Sequence, residues 1–250
     1  LDDYVVPRSS PGKRGLGWQP KILLQVGAAT LAPLILALPF NPVTWGVTIL
    51  VVLFFANAYN FADGLDSLAA SLGVVLCVTF AILLATVQPY VNLGPVMALA
   101  GGLVGFAFWN APPAKVFMGD LGALPVGALL GVMAMVPLRD GLFRAADPIG
   151  FAAETRVLDI LVPSAQLLLP IAIISFVMIA ELLPVPMQVA YFKLTKGKRL
   201  FPMTPIHHAF EKKGWPESRV VWSFVWVQVV VAAMGLYLVF NALPGQAATP

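Results

Sequence analysis

The sequence has 250 residues, of which 59% are hydrophobic and 11% charged, with a formal net charge of +3. Soluble domains carry about 25% charged residues, so this composition excludes an ordinary soluble domain and is that of a membrane protein. The single cysteine, Cys77, lies in an apolar run and excludes an internal disulfide framework.

The opening, Leu1-Asp2-Asp3-Tyr4, is charged and reads as a chain entered midway through a loop rather than as a cleavable signal peptide. Crossing a bilayer takes about 17–25 apolar residues. On that criterion the chain is expected to be an all-α integral membrane protein, a polytopic helical bundle of about seven transmembrane helices, with residues 1–250 forming a single membrane domain. The first span is expected at 21–39, kinked or ended by Pro33. The second, 43–58, is short, and the third covers 67–87. Between them runs Asn57-Ala-Tyr-Asn60-Phe-Ala-Asp63-Gly64-Leu-Asp66, with polar groups three apart, close to one face of a helix end. After a fourth span at 93–110 come Lys115 and Phe117-Met-Gly119-Asp120, just ahead of the fifth at 121–138. A loop at 139–160 leads to the sixth span, 161–183. In the segment 184–218, apolar Val185–Phe192 is followed by Lys193, Lys196, Lys198 and Arg199, as expected of an interfacial helix on an anionic leaflet. Pro205-Ile-His207-His208-Ala-Phe-Glu211 then precedes the seventh span, 219–242.

Seven spans divide the loops between two sides. One side carries Arg8, Lys13, Arg14, Lys21, Lys115, the four basic residues of 193–199, Lys212, Lys213 and Arg219; the other carries Arg139, Arg144 and Arg156. That is 12 against 3 of the 15 basic residues, and the positive-inside rule makes the first side cytoplasmic. Asp2, Asp3, Asp63, Asp66, Asp120, His207, His208 and Glu211 all fall on it. Carboxylates and imidazoles gathered on one face suit metal-assisted phosphoryl transfer, with hard oxygen ligands for Mg²⁺ and basic residues such as Lys115 for phosphate contacts. Blander readings stay open: Asn57, Asn60 and Asp63 as helix-end polar groups, Asp120 as an N-cap, Asp2-Asp3 as a solvated loop. A transporter would place carboxylates or broken helices near the bilayer midplane, and here the acids avoid the middles of the spans.

Together the Asn57–Asp66, Phe117–Asp120 and Pro205–Glu211 motifs resemble the polyprenyl-phosphate N-acetylhexosamine-1-phosphate transferase superfamily. The paired histidines point to its phospho-N-acetylmuramoyl-pentapeptide transferase branch. Asp2-Asp3-Tyr4 is similar to the Asp-Asp motif of that family, and Glu181, Phe192-Lys193-Leu and Lys213-Gly-Trp215-Pro-Glu217 match its pattern. The family is described as ten transmembrane helices with a cytoplasmic active site, so this chain reads as the C-terminal part of a longer fold, three helices short. By resemblance, Asp120 is the main Mg²⁺ ligand and catalytic, and Asp2 and Asp3 lie by the polyprenyl phosphate, one acting as base. Asn57, Asn60, Asp63 and Asp66, with Lys115 and Glu211, bind substrate; His207 and His208 serve catalysis or positioning. The implied reaction moves phospho-MurNAc-pentapeptide from its UDP donor to undecaprenyl phosphate, giving lipid I and UMP for peptidoglycan and the cell wall. Another UDP-N-acetylhexosamine donor, or an inactive truncated scaffold, is the alternative. The expected setting is the bacterial inner membrane, among membrane lipids, with a homodimer as a family expectation and no nucleic-acid partner. Ala209 stands where the family has a third histidine, Ser67 where Gly is typical, Gly122-Ala123 where Gly-Ser is usual, and Arg8 is the nearest basic residue after the Asp-Asp pair.

Overall fold

A computed structural model describes residues 18–88, 91–139 and 157–242, without the side chains of 18 and 157–165. Asp2, Asp3, Arg8 and most of the 139–160 loop lie outside the described residues. The described chain is helical, with no strand: α1 Trp18–Ala29, α2 Leu31–Ile35, α3 Pro42–Ala62, α4 Leu68–Val87, α5 Gly94–Asn110, α6 Gly119–Met135, α7 Val157–Ile174, α8 Phe176–Leu182, α9 Pro184–Leu194, α10 Ile206–Lys212 and α11 Glu217–Ala242.

Among the described residues five segments are by themselves long and apolar enough to cross a membrane: Pro42–Ala62, Leu68–Val87, Gly119–Leu138, Phe176–Leu194 and Glu217–Ala242. Where the element bounds differ from the expected spans, the causes are local. In 21–39, Pro33 has no N–H to give the Ala29 carbonyl and its ring would crowd that oxygen, so α1 ends at Ala29 and the chain restarts as α2. The short second span is a helix of 21 residues: Asn41 caps its start, its Oδ1 accepting from the N–H groups of Val43 and Thr44 at 2.9 and 3.3 Å with Pro42 at N1, and the helix runs four residues past 58 to Ala62. The sixth span does not stop at 183. Pro184 opens α9 at a position that needs no N–H, so the expected interfacial segment is itself a helix, and by length and composition it continues the apolar run from Phe176 to Leu194. The fourth, Gly94–Asn110, is apolar but has only 17 residues.

Lipid tails are as apolar as leucine, so such a bundle is held by close packing and interhelical hydrogen bonds. α4 forms the centre, with Leu68, Leu72, Leu76, Phe80 and Leu83 fully buried against α5 and α11. α3 and α6 meet along small residues. A Cβ on Gly127 would stand 2.5 Å from the Phe55 carbonyl oxygen, and one on Gly131 2.8 Å from the Val52 Cα, with Ala123 fully buried one turn earlier. Trp222, Trp226, Val230, Met234 and Tyr237 make an exposed apolar stripe along α11, the face offered to lipid.

Candidate active site at one end of the bundle

The α3–α4 turn, the 111–118 loop, the starts of α1, α6 and α11, and α10 meet at one end of the bundle. Asp63 caps the C-terminus of α3, its N–H donating to the Tyr59 carbonyl at 3.2 Å. Its Oδ2 accepts from the Gly119 N–H at 2.9 Å, which satisfies an orphan donor at the start of α6. Gly119 has φ +61°, a conformation glycine adopts freely. Asp120 follows in the first turn of α6, so it is not the N-cap considered from sequence; that position is Met118, and Asp63 supplies the tertiary cap. Both carboxylates thus face the positive end of one helix dipole. Asp120 accepts from the Lys21 ammonium of α1 at 3.1 Å, with both side chains more than a third exposed. One turn along α1, the Gln25 Oε1 accepts from Asn57 Nδ2 at 2.9 Å, and the same amide donates to the Leu53 carbonyl at 2.8 Å. Asn60 is half-buried in the turn between Asn57 and Asp63.

Asp66 pins the rim. Its Oδ2 accepts from the Ala114 N–H at 2.9 Å, and its own N–H donates to Glu217 Oε1 at 2.8 Å, which draws the start of α11 in. Asn110, buried at the end of α5, accepts from the Ser67 N–H at 2.9 Å and donates to the Val116 carbonyl at 2.9 Å. Ser67, at φ +69°, takes a backbone conformation that favours the glycine typical of the resembling family, and its bonds to Asn110 hold it there.

The histidines arrive from α10. His207 is fully buried, with Nδ1 2.8 Å from Oε2 of the equally buried Glu181 on α8. His208 is half-buried, with Nδ1 2.6 Å from Glu211 Oε2, and the two rings lie 4.1 Å apart between centroids. Both Nε2 atoms turn toward the α3–α4 turn: a Cβ on Gly64 would lie 2.5 Å from that of His207 and 3.4 Å from that of His208. Gly64 has no side chain because the imidazoles occupy its place. Lys115 stands apart, exposed, its ammonium 5.8 Å from the Trp109 ring centroid and in no ion pair among the described residues.

Electrostatics couple the two rim carboxylates. Burial pushes the Asp63 carboxyl above its ordinary value, the Gly119 hydrogen bond pulls it down, and the Asp120 charge pushes it up. A half-buried carboxylate with a second carboxylate close enough to act on it is a receptive seat for a cation. Below them, between α1–α2, α3 and α6, runs an apolar groove of about 520 Å³, lined by Leu24, Gln25, Ala56, Leu124 and Ala128 among others. Gln25 and Leu124 each lie one turn from Lys21 and Asp120, so the groove opens at the polar rim.

The structure therefore brings Asp63, Asp66, Asp120, His207, His208 and Glu211 to one end, sets Asn57 and Asn60 along its α3 wall, and leaves Lys115 outside the cluster. Sequence reasoning did not assign Lys21, Gln25, Asn110 or Glu217 to the site. Glu181 and Glu217 entered only as motif matches, although for Glu181 an acid within an apolar span was a further signal.

The family model for glycosyl transferase family 4 matches residues 1–137, through the whole of α6. The chain belongs to this family. Among curated members, the phospho-N-acetylmuramoyl-pentapeptide-transferase of Moorella thermoacetica is 40% identical over 182 residues, which is 73% of this chain and 48% of that protein. The enzyme of the same name from Desulforudis audaxviator is 42% identical over 192 residues, 76% of this chain and 48% of that one. That of Nautilia profundicola is 34% identical over 266 residues, 92% of this chain and 66% of that one. The chain spans about half the length of most of these glycosyl transferase family 4 relatives.

Proposed function

We propose that the chain transfers phospho-MurNAc-pentapeptide from its UDP donor to undecaprenyl phosphate, releasing UMP and forming lipid I, with Mg²⁺ as cofactor. The observation that carries this reading is the meeting of Asp63, Asp120 and the His207–His208 pair at the mouth of an apolar groove. Phosphoryl transfer asks a protein chiefly to position two phosphates and neutralise charge, and the rim offers donors for both.

Asp63 and Asp120 fit Mg²⁺ by chemistry. They are hard oxygen donors near enough to feel each other's charge, and each is engaged through one oxygen among the described residues. Mg²⁺ is usually held by one or two carboxylates with waters and substrate phosphates, so a cage of three or more His, Cys, Asp or Glu groups, which the described residues lack, is not needed. When bound, the ion would neutralise the diphosphate and the charge growing on departing UMP. Lys21 would pass from Asp120 to a phosphate, and His208, anchored by Glu211, would donate to the diphosphate. Asp2 or Asp3 would receive the acceptor's proton. The prenyl chain would lie along the α1–α3–α6 groove, its phosphate at the rim. The 12-to-3 basic asymmetry supports a cytoplasmic position for this end in the bacterial inner membrane, and a homodimer remains the family expectation. Ala209, in place of a third histidine, supports one second reading: the same transfer from another UDP-N-acetylhexosamine.

UMP release from membranes carrying the chain, with Mg²⁺, undecaprenyl phosphate and either UDP-MurNAc-pentapeptide or UDP-GlcNAc, tests both. Release with the muramoyl donor, lost in Asp120→Asn, is the expected result. Release with UDP-GlcNAc alone would favour the second reading, and silence with both would defeat the proposal.

A further inference from the structure

The segment after α9 folds back on the helix instead of leaving it. Lys196 and Gly197 take φ of +54° and +114°, and the Gly197 N–H donates to the Phe192 carbonyl at 2.9 Å, which closes the helix and reverses the chain. Gln188 holds the returning segment, its Oε1 accepting from the N–H groups of Leu200 and Phe201 at 3.0 and 2.8 Å. The Lys212 ammonium donates to the Pro202 carbonyl at 3.2 Å and ties the same segment to α10. Together these bonds shape a cavity of about 400 Å³ walled by Gln188, Phe192, Lys193, Arg199, Phe201 and Thr204, among others. Small-molecule sites usually run from about 300 to 1,000 Å³.

The charge of this cavity is one-sided. Lys193 and Arg199 line it, no acid does, and neither cation has an ion-pair partner among the described residues. Membrane topology accounts for basic residues in this stretch. It does not account for a reversed chain, pinned by Gln188, that carries Arg199 back beside Lys193 between Phe192 and Phe201.

We propose that this cavity receives a free carboxylate of the donor's sugar-linked peptide, with Arg199 as a forked partner and Lys193 as the second cation. This rests on the donor reading given above. Reach agrees with it. Thr204, on the cavity wall, precedes His207 by three residues, and His207 sits against Gly64 at the reaction end. Three residues of chain span at most about 11 Å, and an extended pentapeptide up to about 17 Å. The apolar groove that suits a prenyl chain is a separate feature, formed by α1–α2, α3 and α6.

Calorimetric binding to the full chain in nanodiscs tests the assignment with three donors: the peptide with free carboxylates, the same peptide amidated, and the UDP-sugar without peptide. In zwitterionic lipid the parent is expected to bind the carboxylate form about tenfold more tightly than the amidated one. Lys193→Gln with Arg199→Gln should erase that difference, and Arg199→Lys should retain part of it. Equal affinity for the carboxylate and amidated donors in the parent would overturn the proposal, as would a loss in the double variant shared equally by all three donors. A donor-independent loss that appears only when anionic lipid is added would assign the cavity to a lipid headgroup and also overturn it. Carboxylate-selective binding without UMP release would leave the cavity assigned and defeat the transfer reading; binding of no donor would defeat both.

Discussion

Lys21–Asp120 and Glu181–His207 join the same kinds of group at the same end of the bundle, yet they are opposite devices. The first is 36% and 43% exposed, the second 0% on both sides. Water and incoming ions can compete for Asp120 at little cost, so its lysine serves as an exchangeable counter-charge. Glu181 and His207 have no such alternative: each would be left with a buried polar group, and Glu181 Oε1 and His207 Nε2 already lack partners among the described residues. An open pair leaves room for chemistry, and a sealed pair fixes the ring that borders it.

The sharpest way to break this contrast is Glu181→Ala. Removing one partner of a buried hydrogen-bonded pair leaves the other unsatisfied at a cost of about 1–3 kcal/mol, so the thermal midpoint in detergent should fall clearly, with Glu181→Gln much milder because it keeps a bond to His207. A midpoint shift no larger than that of a surface substitution would mean the pair is not sealed. Next comes Gly64→Ala. Its new Cβ would meet His207 Nε2, a ring Glu181 prevents from yielding, at an overpacking cost of about 1–3 kcal/mol. The cost should shrink when Gly64→Ala is combined with Glu181→Gln, and strict additivity in that cycle would deny the coupling.

On the open side, pH supplies the probe. Because the Asp63 carboxyl lies above its ordinary 3.8, chiefly through burial, the folded chain holds that proton more tightly than the unfolded one. Its contribution to stability is therefore fully present below 3.8 and declines as pH rises through the elevated value. Asp63→Asn should flatten that decline in melts run across the acidic range, and saturating Mg²⁺ should reverse it by favouring the ionised form. An unchanged slope in Asp63→Asn would place the titration elsewhere. The smallest effect belongs to Lys21→Met. An exposed pair contributes about 0–1 kcal/mol, so the melt should barely move, and a large drop would make this pair structural rather than exchangeable.

Much of the fold is legible in the order of residues alone. α4, α5 and α11 coincide within two residues with apolar runs bounded by Pro, Asn or charged residues. Pro33 and Pro184 are equally visible, but whether a proline ends a helix or begins the next depends on which carbonyl it faces. That decides both the α1–α2 break and the extension through α9. The motif residues are legible because unusual polar groups stand out between apolar spans. Their partners are not. Lys21 meets Asp120 across 99 residues and Asp66 meets Glu217 across 151, and such pairings leave no local trace. Gln25 and Asn110 are ordinary amides until packing aims them at Asn57 and Ser67.

The Gly127–Gly131 seam has a bearing on biogenesis. α3 and α6 touch backbone to backbone, yet α4 and α5 are synthesised between them. A nascent chain that has delivered only its early spans to the bilayer holds Asp63 at the end of a helix with nothing to cap. The Asp63–Gly119 contact cannot form before α6 has followed α4 and α5 and packed against α3, and the α10 histidines and Glu217 of α11 follow later still. The order of synthesis thus sets the order in which the site can be assembled, and the smallness of two glycines sets whether the α3–α6 step of it can close.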